Sequence, residues 1–303
     1  MDHSFKTFAD SPFPLAHESA YRAWRDWKCE VYPRQPSQLV VSVADPRALS
    51  RAEQEAMLAC CRVANMVIYD SPQKTDDKTL AHRLGAQFGL LGADTNWLAD
   101  DDGISRLEVA MPGERMRPDY IPYTNKPIRW HTDGYYNPPA RRIWAMVLHC
   151  VRPAQLGGEN AVLDHEMAYL LLRDENPAHI AALLEPDAMT IPAREDEHGI
   201  ARPAEVGPVF HIDPQSGALH MRYTARTRSI LWKDKPETRA AVAALERILA
   251  ESPWVLRLRM SAGMGLLCNN VLHDRSGFSD DPAAPRLLYR ARYSQRIASL
   301  PRE

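Results

Sequence analysis

From residue 128 onward the chain is a run of short segments with strand character, interrupted by two helical stretches at 165–184 and 236–250. That pattern restricts the fold more than any other feature of the sequence. In the second stretch Val242, Leu245, Ile248 and Leu249 form one apolar stripe. In 255–260 Leu256, Leu258 and Met260 alternate with Arg257 and Arg259, as a half-buried strand requires. Segments 265–273 and 286–296 read as further strands. Ahead of residue 128 lie an amphipathic N-terminal stretch and a Pro-bearing loop (1–38), then strand 39–43, helix 51–65, strand 66–69 and helix 78–88. The expectation is a mainly β fold with flanking helices.

Composition narrows the class. The 303 residues carry 37 Lys plus Arg against 39 Asp plus Glu, a net charge of -2, with 45% hydrophobic and 25% charged residues, which excludes disorder, collagen and coiled coil. No basic tract exists to neutralise phosphates, so nucleic acid is not an expected partner. The longest apolar run, 143–151, is too short to span a bilayer, and the N-terminus shows no basic-then-apolar leader; a cytoplasmic protein with no membrane partner is expected. The cysteines at 29, 60, 61, 150 and 268 form no CxxC pair, which suggests neither a disulfide framework nor a thiolate zinc site.

The chemistry concentrates in IRWHTDGYYNPP. His131 and Asp133 are two apart, so on an extended chain both side chains leave from one face and can grip one ion. One imidazole and one carboxylate are an incomplete site, and the best third ligand is His273 in CNNVLHDRSGF. Two His and one carboxylate on one face of an octahedral metal leave adjacent positions open, which suits Fe(II) with a chelating cosubstrate and O2. A zinc hydrolase could use the same set, but it needs a general base nearby. Downstream of His273 stand Arg286 and, four residues on, Arg290, on one face by strand periodicity and suited to a dicarboxylate.

A lone His-x-Asp is a weak signal, and a second copy, His211-Ile212-Asp213, precedes a turn and sits too near His273 to leave room for a barrel between ligands. Around the motif, Tyr135 and Tyr136 are candidate pocket walls or packing residues. Arg222, Arg226 and Arg228 form either an anion clamp for substrate or a solvated strand edge. Asn125 is a substrate hydrogen-bonder or a turn residue in YTNKP. His149, in an apolar run, reads as a core histidine, and His165 as a first-turn helix residue capped by Asp164.

Taken in order, WHTDGYYNPP, LHCVRPAQLGGENAVLD, NNVLHDRSGF and PRLLYRARY resemble the TauD/TfdA (taurine dioxygenase) family of Fe(II)- and 2-oxoglutarate-dependent oxygenases over roughly residues 60–296. The LHC, GGEN and LRDENP elements are similar to its γ-butyrobetaine hydroxylase-like branch. The resemblance implies a double-stranded β-helix (jelly-roll) core at 128–296 within a single catalytic domain, 1–303, in which 39–127 is a leading α/β segment with loops. It implies iron held by His131, Asp133 and His273, with Arg286 on the distal carboxylate of 2-oxoglutarate. Asn160 stands where the family often has Thr or Ser on that carboxylate, and Arg290 where it places a second arginine near the cosubstrate or an anionic substrate. Tyr123 falls where the branch encloses a trimethylammonium group with aromatics, but Arg106 and Ala110 stand near the other walls. The branch's zinc module has no counterpart in the cysteine spacing.

Asp133 favours hydroxylation over halogenation, since halogenating relatives leave that position vacant. The expected function is hydroxylation of a small anionic or zwitterionic substrate, such as an amino acid, betaine or sulfonate, with release of succinate and CO2. The alternatives are a non-catalytic metal or small-anion binding jelly-roll protein and a metal-dependent hydrolase. A homo-oligomer is compatible with the sequence.

Overall fold

The computed structural model describes residues 7–95, 102–110, 120–196, 199–226 and 230–297. Arg228, most of the Pro-rich stretch 112–122 and the start of the 99–105 loop lie outside the described residues. The chain divides into two compact units, one made of Met1–Tyr32, Trp130–Ala140 and Leu163–Val255, the other of Pro33–Arg129, Arg141–Val162 and Leu256–Glu303.

In the first unit, helix Glu18–Val31 turns Tyr21, Trp24 and Lys28 inward. The Lys28 side chain is fully buried, and its Nζ donates to Asp164 at 2.6 Å and Glu166 at 3.0 Å. The guanidinium of Arg173 donates to the Pro12 carbonyl at 3.1 Å and stacks 3.7 Å from the Tyr21 ring. The N-terminal stretch is thus fastened by two buried cations to helix His165–Glu175. The single helix expected over 165–184 is two, His165–Glu175 and Pro177–Leu184. Asn176 is extended at φ -163 and caps the second helix by accepting from Ala178 N, while Pro177 lacks the N–H that a continuous helix would need. Strand Met189–Ile191 pairs with Glu205–Gly207 on one side and Leu231–Trp232 on the other. A hairpin joins Phe210–Ile212 to Leu219–Met221, and helix Pro236–Glu251 buries the expected stripe of Val242, Leu245, Ile248 and Leu249.

The second unit is built on a six-stranded sheet in the order Val40–Ser42, Met66–Asp70, Gly265–Cys268, Ala145–Arg152, Leu287–Tyr293, Ile104–Leu107. The first two strands are parallel, joined through helix Arg51–Ala64; the other neighbours are antiparallel. Val67, Tyr69, Val147, Leu267, Leu287, Tyr289 and Tyr293 pack with Met57, Leu58, Leu80 and Leu84 in one core, so helices Arg51–Ala64 and Leu80–Ala86 cover that face. Alternation then sends Leu288, Arg290 and Arg292 to the other face.

A four-stranded sheet has the order Leu256–Leu258, Asn160–Leu163, Leu272–Arg275, Ile128–His131. The expected strand over 265–273 is therefore two strands in two sheets. The break is made by Asn269 and Asn270, both 3% exposed. Asn269 donates through its amide to Asn65 Oδ1 at 3.0 Å, and Asn270, at φ +49, donates to the Ile143 carbonyl at 2.7 Å. Buried amides replace the ladder partners that the chain gives up as it changes sheets.

Candidate metal and cosubstrate site

His131 ends its strand in a β-bridge to Thr224. Ala225 N donates to the Trp130 carbonyl at 2.8 Å and Thr132 N to the Tyr223 carbonyl at 3.0 Å, while Tyr223 N donates to Thr132 Oγ1 at 3.1 Å. The chain 130–132 is thus strapped to 223–225 by backbone and hydroxyl together, and Asp133, 5% exposed, comes directly after it. His131 Nε2 lies 3.8 Å from Asp133 Oδ1. His273 comes just after the asparagine turn, and its Nδ1 sits 2.9 Å from the Val271 carbonyl. That bond fixes the proton on Nδ1 and leaves Nε2 as the lone-pair donor. One ligand atom from each of His131, Asp133 and His273 lies within 4.8 Å of the other two.

A small cleft is lined by Cys150, Gly157, Gly158, Asn160, Arg259, Met260, Arg286 and Leu288. Arg286 is 5% exposed, and burial pulls its pKa below the ordinary guanidinium value. Its Cζ lies 5.1 Å from the Phe278 ring centroid, and its guanidinium is hydrogen-bonded to no carboxylate among the described residues, Asp280 acting on that charge through space. A buried cation with no bonded counter-ion is costly unless an anion completes it. The glycines make the approach possible: at Gly157, φ +73, a Cβ would sit 2.3 Å from the Gly277 carbonyl. Cys150, beside Arg286, is pushed up to about 11 by burial. A wider cleft of about 530 Å³, lined by Ser42, Asp70, Ser71, Lys74 and Ser261 among others, holds none of the expected site residues.

The remaining candidates fall in varied surroundings. Asn160 donates through Nδ2 to the Asp274 carbonyl at 2.8 Å, and Ala161 N donates to the Asp274 carboxylate at 2.8 Å, so this amide ties two strands together. Arg290 is half-buried on the strand face shared with Leu288. Tyr123 is 1% exposed. Asn125 is exposed, and its carbonyl accepts from Phe278 N at 3.1 Å. Arg222 donates to three main-chain carbonyls, Tyr135 at 2.7 Å, Glu205 at 2.7 Å and Met189 at 3.2 Å, in the manner of a backbone clamp. The Tyr135 ring meets Tyr136 edge-on at 5.1 Å, and Arg226 reaches the Tyr135 hydroxyl at 3.5 Å. His149 is a core histidine: fully buried, 2.9 Å from the Tyr69 hydroxyl and pulled down to about 4 by burial. His165 begins its helix, with Nε2 3.1 Å from the Leu219 carbonyl.

Two contributors were not anticipated, Thr132 and Arg275. Arg275 is 4% exposed, and burial, with the like charge of Arg286, pulls it down to about 9. Its spacing, two residues past His273 on a strand, is a signal that it shares that histidine's side of the sheet.

The profile of the taurine catabolism dioxygenase TauD, TfdA family matches residues 31–292, and the chain belongs to that family. A uridine-5'-phosphate dioxygenase from an Amycolatopsis species is 31% identical over 172 residues, covering 55% of this chain and 60% of that protein. One from a Streptomyces species is 34% identical over 179 residues, covering 56% and 62%. The matched region is about three fifths of the length of these relatives. Among solved structures, an asparagine oxygenase in complex with Fe(II), 2S,3S-3-hydroxyasparagine and succinate superposes with a TM-score of 0.57 at 14% identity, over 93% of this chain and 85% of that one. A non-heme iron oxygenase in complex with Fe and alpha-ketoglutaric acid gives 0.57 at 16% identity, over 95% and 86%. The fold is mainly β with flanking helices around a jelly-roll core, as in these oxygenases.

Proposed function

We propose that this chain is an Fe(II)- and 2-oxoglutarate-dependent dioxygenase that hydroxylates a small anionic or zwitterionic molecule and releases succinate and CO2. The observation that carries this reading is the approach of the His131, Asp133 and His273 ligand atoms to within 4.8 Å. The donor set fits the metal: two imidazoles and one carboxylate suit a non-haem ferrous centre and leave adjacent positions open. When bound, the ion would give the keto acid and dioxygen a common seat, dioxygen being the oxidant both for the decarboxylation of the keto acid to succinate and for the C–H hydroxylation.

The protein's part is placement. His273 offers Nε2 because Val271 holds the other nitrogen, Asp133 supplies anionic charge, and the strap at 223–225 fixes the angle between His131 and Asp133. Arg286 pairs with the distal carboxylate of the cosubstrate, supported by its burial without a bonded acid. Arg290 is kept as the second cationic contact and Tyr123, Asn125 and Tyr135 as residues on the substrate side. For Arg222 our reading is that it holds the turn at Tyr135, which its bonds to three main-chain carbonyls support. For substrate, the two uridine-5'-phosphate dioxygenases put a nucleoside 5'-phosphate first among the small anions to screen.

The test is anaerobic addition of Fe(II) and 2-oxoglutarate, watching for the visible chelate band, then aerobic screening of nucleoside monophosphates, amino acids, betaines and sulfonates for substrate-dependent succinate. A chelate band and stimulated succinate are expected. Hydrolysis with zinc and without oxygen, or ligand binding that never yields succinate, overturns the proposal in favour of the hydrolase or the inert binder.

A further inference from the structure

Segment 275–278 is a layer shared by two loops. On one side three successive carbonyls accept from it: Arg275 donates through Nη2 to Thr124 at 2.8 Å and also to Lys126, and Phe278 N donates to Asn125 at 3.1 Å. On the other side Ser276 N donates to the Glu159 carbonyl at 2.8 Å, Glu159 N to Ser276 Oγ at 3.0 Å and Gly158 N to the Gly277 carbonyl at 3.2 Å, with Phe278 paired to Gly157. The first loop carries Asn125; the second is the GGEN turn that lines the Arg286 cleft.

The Phe278 ring joins the two charges in this layer. Arg275 Cζ lies 4.7 Å from its centroid and Arg286 Cζ 5.1 Å. Both guanidiniums are buried, at 4% and 5% exposure. Neither guanidinium is hydrogen-bonded to a carboxylate among the described residues; Asp280, toward which the Arg286 main-chain N–H is directed, acts on both guanidiniums through space. Two like charges around one ring in a poorly solvated setting repel.

We propose that Arg275 is a positioning residue that makes the order of the 124–127 loop depend on whether a carboxylate occupies Arg286. The inference rests on the assignment of Arg286 to the cosubstrate given above. An incoming carboxylate cancels the charge facing Arg275, so its guanidinium no longer loses stability by staying on the Thr124 and Lys126 carbonyls. The loop bearing Asn125 then tightens before the primary substrate arrives. A brace without this link would hold the loop equally with and without cosubstrate.

Hydrogen exchange of peptides covering 120–128 tests it, run anaerobically with Mn(II), with and without 2-oxoglutarate, on the wild type, Arg275→Lys and Phe278→Leu. The wild-type peptides are expected to exchange several-fold more slowly once 2-oxoglutarate is added. Arg275→Lys keeps the charge but loses the planar two-carbonyl grip, so it should bind 2-oxoglutarate within about threefold of wild type and show no added protection. Phe278→Leu, which keeps an apolar side chain there, should lose the added protection as well. Protection that persists in both variants, or its absence in a wild type that binds 2-oxoglutarate, overturns the proposal. Failure of 2-oxoglutarate to bind the wild type at all overturns the Arg286 assignment itself.

Discussion

Arg286 shows what a single residue can reveal. Burial penalises its charge, the nearest aromatic ring and the through-space effect of Asp280 offer only partial compensation, and no acid bonds to its guanidinium among the described residues. A charge-assisted bidentate pair is worth about 2–3 kcal/mol, so Arg286→Ala is expected to weaken 2-oxoglutarate binding roughly 30- to 150-fold in a chelate-band titration while metal affinity holds. Unchanged cosubstrate affinity would move the role to Arg290. His149 yields a pH prediction of the other kind. Its folded pKa is about 4 against an ordinary 6.5, so the unfolded chain binds the extra proton across that window. Stability is therefore fully present above pH 6.5 and falls as pH drops toward 4, by on the order of 3 kcal/mol. Urea unfolding at pH 7 and pH 5 should show roughly 2 kcal/mol of that loss in the wild type and less in His149→Gln; equal slopes would remove His149 from the account. Residue type and spacing made the neighbourhood of His131, Asp133 and His273 legible, because a ligand set demands particular atoms in a particular order. The clamp at Arg222 was not legible. A guanidinium reads the same in sequence whether its partners are a ligand's oxygens or three carbonyls from elsewhere in the chain.

At the scale of elements, periodicity located the strands and helices but not their breaks. The interruption at Asn176 is a local cap on Ala178 N ahead of Pro177, whereas the change of sheet at Asn269–Asn270 is made by side-chain amides whose partners, Asn65 and Ile143, are distant in sequence. The centre of the six-stranded sheet carries a related constraint. Gly265 lies in register between Tyr69 on one neighbour and His149 on the other, and the Tyr69 ring crosses above it to reach the His149 nitrogen. A Cβ at Gly265 would sit 2.3 Å from the Tyr69 ring and 2.4 Å from the Leu148 carbonyl, the latter a backbone atom with little room to yield. Gly265→Ala is accordingly expected to cost about 3 kcal/mol or more, beyond the usual span for overpacking. Tyr69→Phe should cost only about 1 kcal/mol, the worth of one hydrogen bond. Chemical denaturation of the two variants checks the order; a neutral Gly265→Ala would mean the Tyr69–His149 bridge is not formed.

For the molecule as a whole, metal and cosubstrate are linked to folding. Asp133 and His273 are 140 positions apart in sequence (273 minus 133), so the unfolded chain has no preassembled donor set and the ligands bind the native state alone. A ligand at a hundred times its dissociation constant then adds about 2.7 kcal/mol, which for a chain of this size raises the melting temperature by roughly 4 °C. Mn(II) under nitrogen should produce such a shift and 2-oxoglutarate a further one, with chelator reversing both. His131→Ala and His273→Ala should each abolish the whole response, since either leaves an imidazole and a carboxylate that cannot chelate facially. Arg286→Ala should keep the metal shift and lose most of the cosubstrate increment. The pattern across variants is what discriminates. If the manganese shift survives in His131→Ala, the ion sits elsewhere. If 2-oxoglutarate stabilises the protein equally without metal, its keto acid end is not at these three side chains and the oxygenase reading fails.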